Sequence, residues 1–199
     1  MISLVSTLLS KKLLKKGLIS DEEHELCKYA FFMISSYCLF LVIAIFLGFL
    51  VNIPLLSFVF YITFCVIRNF AGGIHAKSES RCLVYTTTLI ILSILVIKKI
   101  IVLNCLWFVL LMMFFSMIII VFLSPVDTPN KKLSSLEKSL YRRKTIILVT
   151  IITSIFIVML VMKITSIAVA LSVAMTLAAI LVVIGKIKQN IENCKGKSA

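Results

Sequence analysis

The chain has 199 residues, is 61% hydrophobic and carries a formal net charge of +13; its mean hydropathy is +1.16. Soluble domains are close to half apolar, so this composition excludes a water-soluble globule and leaves no room for a second soluble domain. The charge does not indicate a nucleic-acid binder, because the basic residues lie in short stretches between apolar runs, as in the loops of membrane proteins.

Residues 1–19 mix leucines with Lys11, Lys12, Lys15 and Lys16. The apolar side of residues 2–9 overlaps the later lysine side on a helical wheel, so no single clean stripe results. The expectation is a basic interfacial segment whose lysines snorkel toward anionic lipid head groups. The first long apolar run starts near Tyr29 after a polar stretch and has no small-residue cleavage pattern, so a cleaved leader is not expected. Gly17 is a stop signal. Ser20 with Glu23 forms a capping-box pattern, with Asp21 and Glu22 in the favourable first turn, and starts a helix that enters the membrane.

Six apolar segments follow: Tyr29–Val51, Ile53–Ile67, Leu83–Ile97, Ile100–Leu123, Thr145–Met162 and Ile164–Gly185. The expected fold is an all-α integral membrane protein, a single membrane domain with six transmembrane helices. A span needs about 17–25 residues, so the second and third segments are short. They either borrow length from the polar island between them or form a re-entrant pair. With both termini in the cytoplasm, all 21 Lys and Arg residues except Lys98, Lys99 and Lys163 fall on the inside. That asymmetry sets the orientation. Pro125 and Pro129 break the fourth segment. Ser134 with Glu137 is a second capping-box pattern, which starts the fifth helix near Ser135 within the basic cytoplasmic loop 124–144.

Cys27, Cys38, Cys65 and Cys105 lie in or beside apolar segments, Cys194 lies in the tail, and no C-x-x-C pair occurs. Most are expected to be small buried hydrophobes. Cys82 differs. It closes the cytoplasmic island 68–82, where Arg68, Gly72, Gly73, His75, Lys77 and Arg81 interrupt the apolar pattern. A thiol attacks as the thiolate, which neighbouring cations favour, and a histidine base can remove its proton. The bland alternative is that Cys82 simply begins a helix. His24, between Glu23 and Glu25, reads as a solvated side chain. His75 follows paired glycines, which allow backbone geometries and close approaches closed to other residues. On one straight helix His75 and Cys82 would stand about 10.5 Å apart along the axis, beyond hydrogen-bond reach. The backbone must fold back between them, or substrate must close the gap. Glu79 and Asp127 are candidate orienting carboxylates, each with a solvated-surface alternative. Arg68 reads as a snorkelling anchor or an anion clamp. Lys131, Lys132, Arg142, Arg143 and Lys144 read as positive-inside bias or as a docking patch for an acidic peptide.

The island Arg68, Gly72-Gly73-Ile74-His75 and Cys82 resembles the signature of the accessory gene regulator protein B (AgrB) family, membrane cysteine endopeptidases of Gram-positive quorum sensing. The stretch Pro125, Asn130-Lys131-Lys132, Glu137 and Arg142-Arg143-Lys144 is similar to that family's basic loop, with a less specific pattern. The resemblance spans nearly the whole chain. It implies a cell-membrane enzyme with His75 and Cys82 as catalytic pair, acting at the cytoplasmic face. It implies an AgrD-like propeptide whose C-terminal tail is cut and whose remainder is closed into a thiolactone or lactone ring. It also implies a homodimer; no cofactor, metal or nucleic-acid partner is expected.

Three other classes are weighed against this one. A small transporter or channel needs ionisable residues within its spans, and the six segments as bounded contain none. A zinc hydrolase lacks H-E-x-x-H and has too few histidines. A non-catalytic membrane adaptor is the bland alternative.

Overall fold

The computed structural model describes residues 2–15, 21–72, 79–126 and 134–195. Among them every regular element is an α-helix: α1 (Ile2–Lys15), α2 (Asp21–Leu50), α3 (Pro54–Ala71), α4 (Glu79–Leu103), α5 (Leu106–Leu123), α6 (Ser135–Val161) and α7 (Thr165–Lys195). Helices dominate because a segment in hydrocarbon must satisfy its own backbone N–H and C=O groups. Six of them, α2 to α7, are long and apolar enough to cross a membrane, so the chain is a multi-pass membrane protein.

The second and third spans are longer than the hydropathy pattern suggests. α3 has 18 residues, and the apolar part of α4 covers 21. At about 1.5 Å per residue, α3 alone reaches about 27 Å, close to a bilayer core of about 30 Å. The added length comes from both sides. α3 continues past Ile67 through Arg68 to Ala71, and α4 runs on past Ile97 to Leu103. Lys98 and Lys99, expected in a loop, are therefore exposed residues of α4, and the turn falls at Asn104–Cys105. A lysine pair does not end a helix whose hydrogen-bond ladder is intact, and its ammonium groups can reach water along the surface.

The chain divides into two compact units, residues 1–43 and 44–199. In the second, α7 packs against α3, α4, α5 and α6. Of its most apolar stretch 61% is buried, against 22–39% for α3 to α6. The reason is side-chain size. Ala168, Ala170, Ser172, Ala174, Ala178 and Ala179 are all buried, and small residues let neighbouring helix backbones approach closely. Ser116 of α5 and Thr176 of α7 share a hydrogen bond of 2.9 Å. The outer helices turn bulky side chains such as Leu92, Phe114, Phe122 and Ile157 outward, as lipid-facing surfaces do.

Three short turns join α2 to α3, α4 to α5, and α6 to α7. Each passes through one residue with positive φ: Asn52 at 61°, Asn104 at 47° and Lys163 at 59°. After α2, Asn52 N–H donates to Phe49 O and Ile53 N–H to Gly48 O. After α6, Lys163 N–H donates to Leu160 O and Ile164 N–H to Met159 O. Both are Schellman-type ends, which return the last carbonyls of a helix to local donors. Pro54, with its fixed φ, opens α3. Gly48 lets α2 and α3 meet: a Cβ there would lie 2.5 Å from Ser57 Oγ and 2.9 Å from Pro54 Cα.

Of the four cysteines whose side chains are described, Cys38 and Cys105 are exposed and Cys27 and Cys65 half-buried. The expectation of buried hydrophobes fails here because the apolar medium around these spans is lipid, not protein. His24 also departs from expectation. Its side chain is only 17% exposed, its Nδ1 lies 3.8 Å from Glu25 Oε1, and its Nε2 is buried without a partner among the described residues. Gly17 and Ser20 lie outside the described residues.

Candidate active site

The two motif-bearing links, 72–78 and 124–134, connect α3 to α4 and α5 to α6. Their starting points are joined. Val126 N–H donates to Ala71 O at 3.1 Å, and Ser124 Oγ donates to the same carbonyl at 3.4 Å. Ser124 Oγ also lies 3.4 Å from Thr145 Oγ1 of α6, and Thr145 Oγ1 donates to Tyr141 O at 2.9 Å. Ala71, Ser124, Val126 and Thr145 are all buried, so this is a dry junction. The Ser124–Pro125 peptide within it is cis.

The residues around the junction tie α3 to α6 a second time. The Phe70 ring sits 6.3 Å from the Tyr141 ring, and Lys144 Nζ lies 5.6 Å from the Phe70 ring centre, within cation–π range. Arg68 stands in the last turn of α3, where a cation suits the negative end of the helix, with its guanidinium 5.8 Å from the Phe64 ring centre. That contact supports the anchor reading of Arg68. Its place beside the junction keeps the clamp reading open.

Gly72 caps α3 with φ 79° and ψ −165°, a region essentially restricted to glycine. A Cβ on Gly72 would meet Val126 O at 2.6 Å. Both its conformation and its surroundings exclude a side chain.

Cys82 lies in the first turn of α4. His75, Gly73, Lys131, Lys132 and Asp127 lie outside the described residues. Arg142 and Arg143 are exposed on α6, whose start carries the expected capping box: Ser134 N–H donates to Glu137 Oε2 at 2.9 Å, and Glu137 N–H donates to Ser134 Oγ at 3.2 Å. Among the described residues, no group of three His, Cys, Asp or Glu side chains is placed to hold a metal ion.

A family model described as accessory gene regulator B matches residues 6–184. The chain belongs to this family. No curated protein and no solved structure matches it. The matched stretch runs from α1 into α7 and includes the whole junction. Membership of the accessory gene regulator B family supports involvement in the processing of a quorum-sensing propeptide, which implies an AgrD-like substrate.

Nothing in the sequence marks Ser124, Thr145, Phe70 and Tyr141 as a group. Ser124 is the first residue after an apolar run, and Thr145 the first residue of one. A hydroxyl at such a boundary is common, and what distinguishes these two is that they meet across 21 residues.

Proposed function

We propose that this member of the accessory gene regulator B family is a membrane cysteine endopeptidase. It cuts the C-terminal tail from an AgrD-like propeptide and closes the remaining peptide into a thiolactone or lactone. One observation carries the reading beyond family membership. The backbone leading to His75 and the backbone leading to Lys131 and Lys132 are hydrogen-bonded to each other at Ala71 and Val126. A catalytic link and a substrate-docking link that start from one point can serve one peptide.

Cys82 is the nucleophile and His75 the base. A helix N-terminus favours a thiolate, and Cys82 stands in the first turn of α4. The thiolate attacks the scissile carbonyl to form a tetrahedral intermediate. The C–N bond then breaks, and the leaving amine takes the proton that His75 removed from the thiol. The product is a thioester between Cys82 and the peptide, with the tail released. A cysteine or serine within the peptide then gives its proton to His75 and attacks the thioester. The C–S bond to Cys82 breaks, Cys82 regains a proton, and the ring closes. Holding the internal nucleophile beside the acyl carbon is worth about 7–11 kcal/mol of barrier at best. Ring closure by a thiol exchanges one thioester for another, while hydrolysis would dissipate the bond. Forming a thioester from an amide is uphill, so removal of the tail or export of the ring drives the sequence.

Arg68, Lys131, Lys132, Arg142 and Arg143 dock the acidic tail. The site faces the cytoplasm, both termini are cytoplasmic, and the enzyme works as a homodimer among anionic lipids. A transporter fits less well: among the described residues the buried polar side chains are all serines and threonines, whereas solute and ion paths use ionisable ones.

The test uses the full chain in nanodiscs with its propeptide. His75→Ala binds propeptide nearly as the wild type does but forms no thioester. Replacing Lys131 and Lys132 by Gln weakens binding and flattens its salt dependence, because exposed charges are screened over about 8 Å at physiological ionic strength. Accumulation of the acyl-enzyme at the wild-type rate in His75→Ala would sink the assignment.

A further inference from the structure

We propose that Ser124 and Thr145 are positioning residues for the acyl transfer. They act through the Ala71 carbonyl, which fixes the direction in which the chain leaves α3 toward His75. The inference rests on the catalytic reading of His75 and Cys82 and adds residues to it.

The Ala71 carbonyl is one of the last four of α3, which no N–H of the helix itself serves. It lies in a dry place, with Ala71 0%, Thr145 1% and Val126 2% exposed, where an unpaired carbonyl is costly. At the other end of the bundle, Asn52 and Lys163 solve this problem with local caps. α3 does not. Its Gly72 has ψ −165°, outside the left-handed helical region that a local cap uses. The exit direction is therefore set by what donates to Ala71 O, and both donors come from the strap 124–126.

The strap is in turn referred to α6 through one hydroxyl. Ser124 has a single proton and two acceptors at equal distance, Ala71 O and Thr145 Oγ1, each 3.4 Å away. Thr145 directs its own proton to Tyr141 O, so it faces Ser124 as an acceptor. Tyr141 also packs on Phe70. One turn of α6, from Tyr141 to Thr145, thus touches Phe70 directly and the last carbonyl of α3 through Ser124.

A change in the direction in which α3 ends is passed on to the link that bears His75. A misplacement of about 1 Å can cost on the order of a hundredfold in rate.

The experiment compares wild type, Ser124→Ala, Thr145→Val, Thr145→Ser and His75→Ala as full chains in nanodiscs, each checked for helical content and monodispersity. Two quantities are read: kcat and KM for the propeptide, and the pH profile of Cys82 alkylation by iodoacetamide, followed at the Cys82 peptide by mass spectrometry. Ser124→Ala and Thr145→Val are expected to lower kcat by about tenfold or more, to leave KM near wild type, and to move the alkylation profile toward that of His75→Ala. Thr145→Ser is expected to restore both. Thr150→Val, at an exposed hydroxyl that bonds only within its own helix turn, serves as the unaffected control. The proposal is overturned if the two variants keep wild-type kcat and profile while His75→Ala loses both. It is equally overturned if kcat falls with the profile unmoved, which marks a general structural loss. A His75→Ala chain that is itself unchanged in both readouts removes the catalytic reading, and this inference with it. If Thr145→Val does not fold, Ser124→Ala deletes one atom at the same junction and decides the matter alone.

Discussion

The two ends of the helical bundle finish their helices in different ways. At the short-turn end, α2 and α6 return their last carbonyls to N–H groups of the next few residues, through Asn52 and Lys163 in the left-handed conformation. At the long-link end, α3 returns its last carbonyl to Ser124 and Val126, more than fifty residues away. A locally closed end keeps its shape whatever happens elsewhere. An end closed by a distant strap holds its shape only while three helices stay in register. Chemistry that needs two segments brought together belongs at the second kind of end.

The largest test of this contrast is the thiol at each end. Cys82→Ala should abolish propeptide cleavage while the protein still inserts. Cys105→Ala, at the exposed α4–α5 turn, should leave cleavage near wild type; both are read from cleavage of co-expressed propeptide. Normal cleavage by Cys82→Ala would refute the nucleophile assignment.

The second test asks whether the two ends face opposite sides of the membrane. Cys105 should react with a membrane-impermeant maleimide on intact cells. A cysteine placed at Ser134, in a chain carrying Cys105→Ala, should react only after permeabilisation. Labelling of position 134 from outside would overturn the orientation that the basic residues suggest.

A smaller effect separates stability from chemistry. Gly48→Ala forces a Cβ against Ser57 and Pro54 and should cost about 1–3 kcal/mol by overpacking, read as a lower Tm in detergent. Its kcat per folded molecule should stay near wild type, because the strain falls at the short-turn end. Smallest of all, Lys163→Gly relieves a left-handed non-glycine residue. It should raise stability by at most about 1 kcal/mol, a gain reduced by the extra freedom of glycine in the unfolded chain. A fall in Tm would show that the Lys163 side chain contributes something its backbone does not reveal.

Much of the architecture was legible from hydropathy, because a span must be apolar for its whole length. The capping box at Ser134 and Glu137 was legible for a related reason: both partners lie within one turn. The charges of Lys98 and Lys99 point to a turn where α4 in fact continues, while Asn104, a residue suited to a left-handed cap, carries the true signal. The hub role of α7 was not visible. Its alanines look unremarkable until the neighbours that need them are in place. In the site, the Gly72-Gly73 pair announced a backbone requirement, and Gly72 meets one at the α3 exit. Its partner Val126 was invisible, since an apolar residue after a proline carries no mark of the backbone bond it donates.

The hub also sets an order of events during synthesis. The helix that fills the centre of the second unit is made after the four that surround it. Until it arrives, α3 to α6 are already in the bilayer around a gap, with the Ser116 hydroxyl lacking its partner on α7. A nascent chain stalled before Thr165 is therefore not a smaller version of the protein. It is an incomplete assembly in which the faces of α3 to α6 that meet α7 are open to lipid, to another copy, or to the cell's membrane proteases.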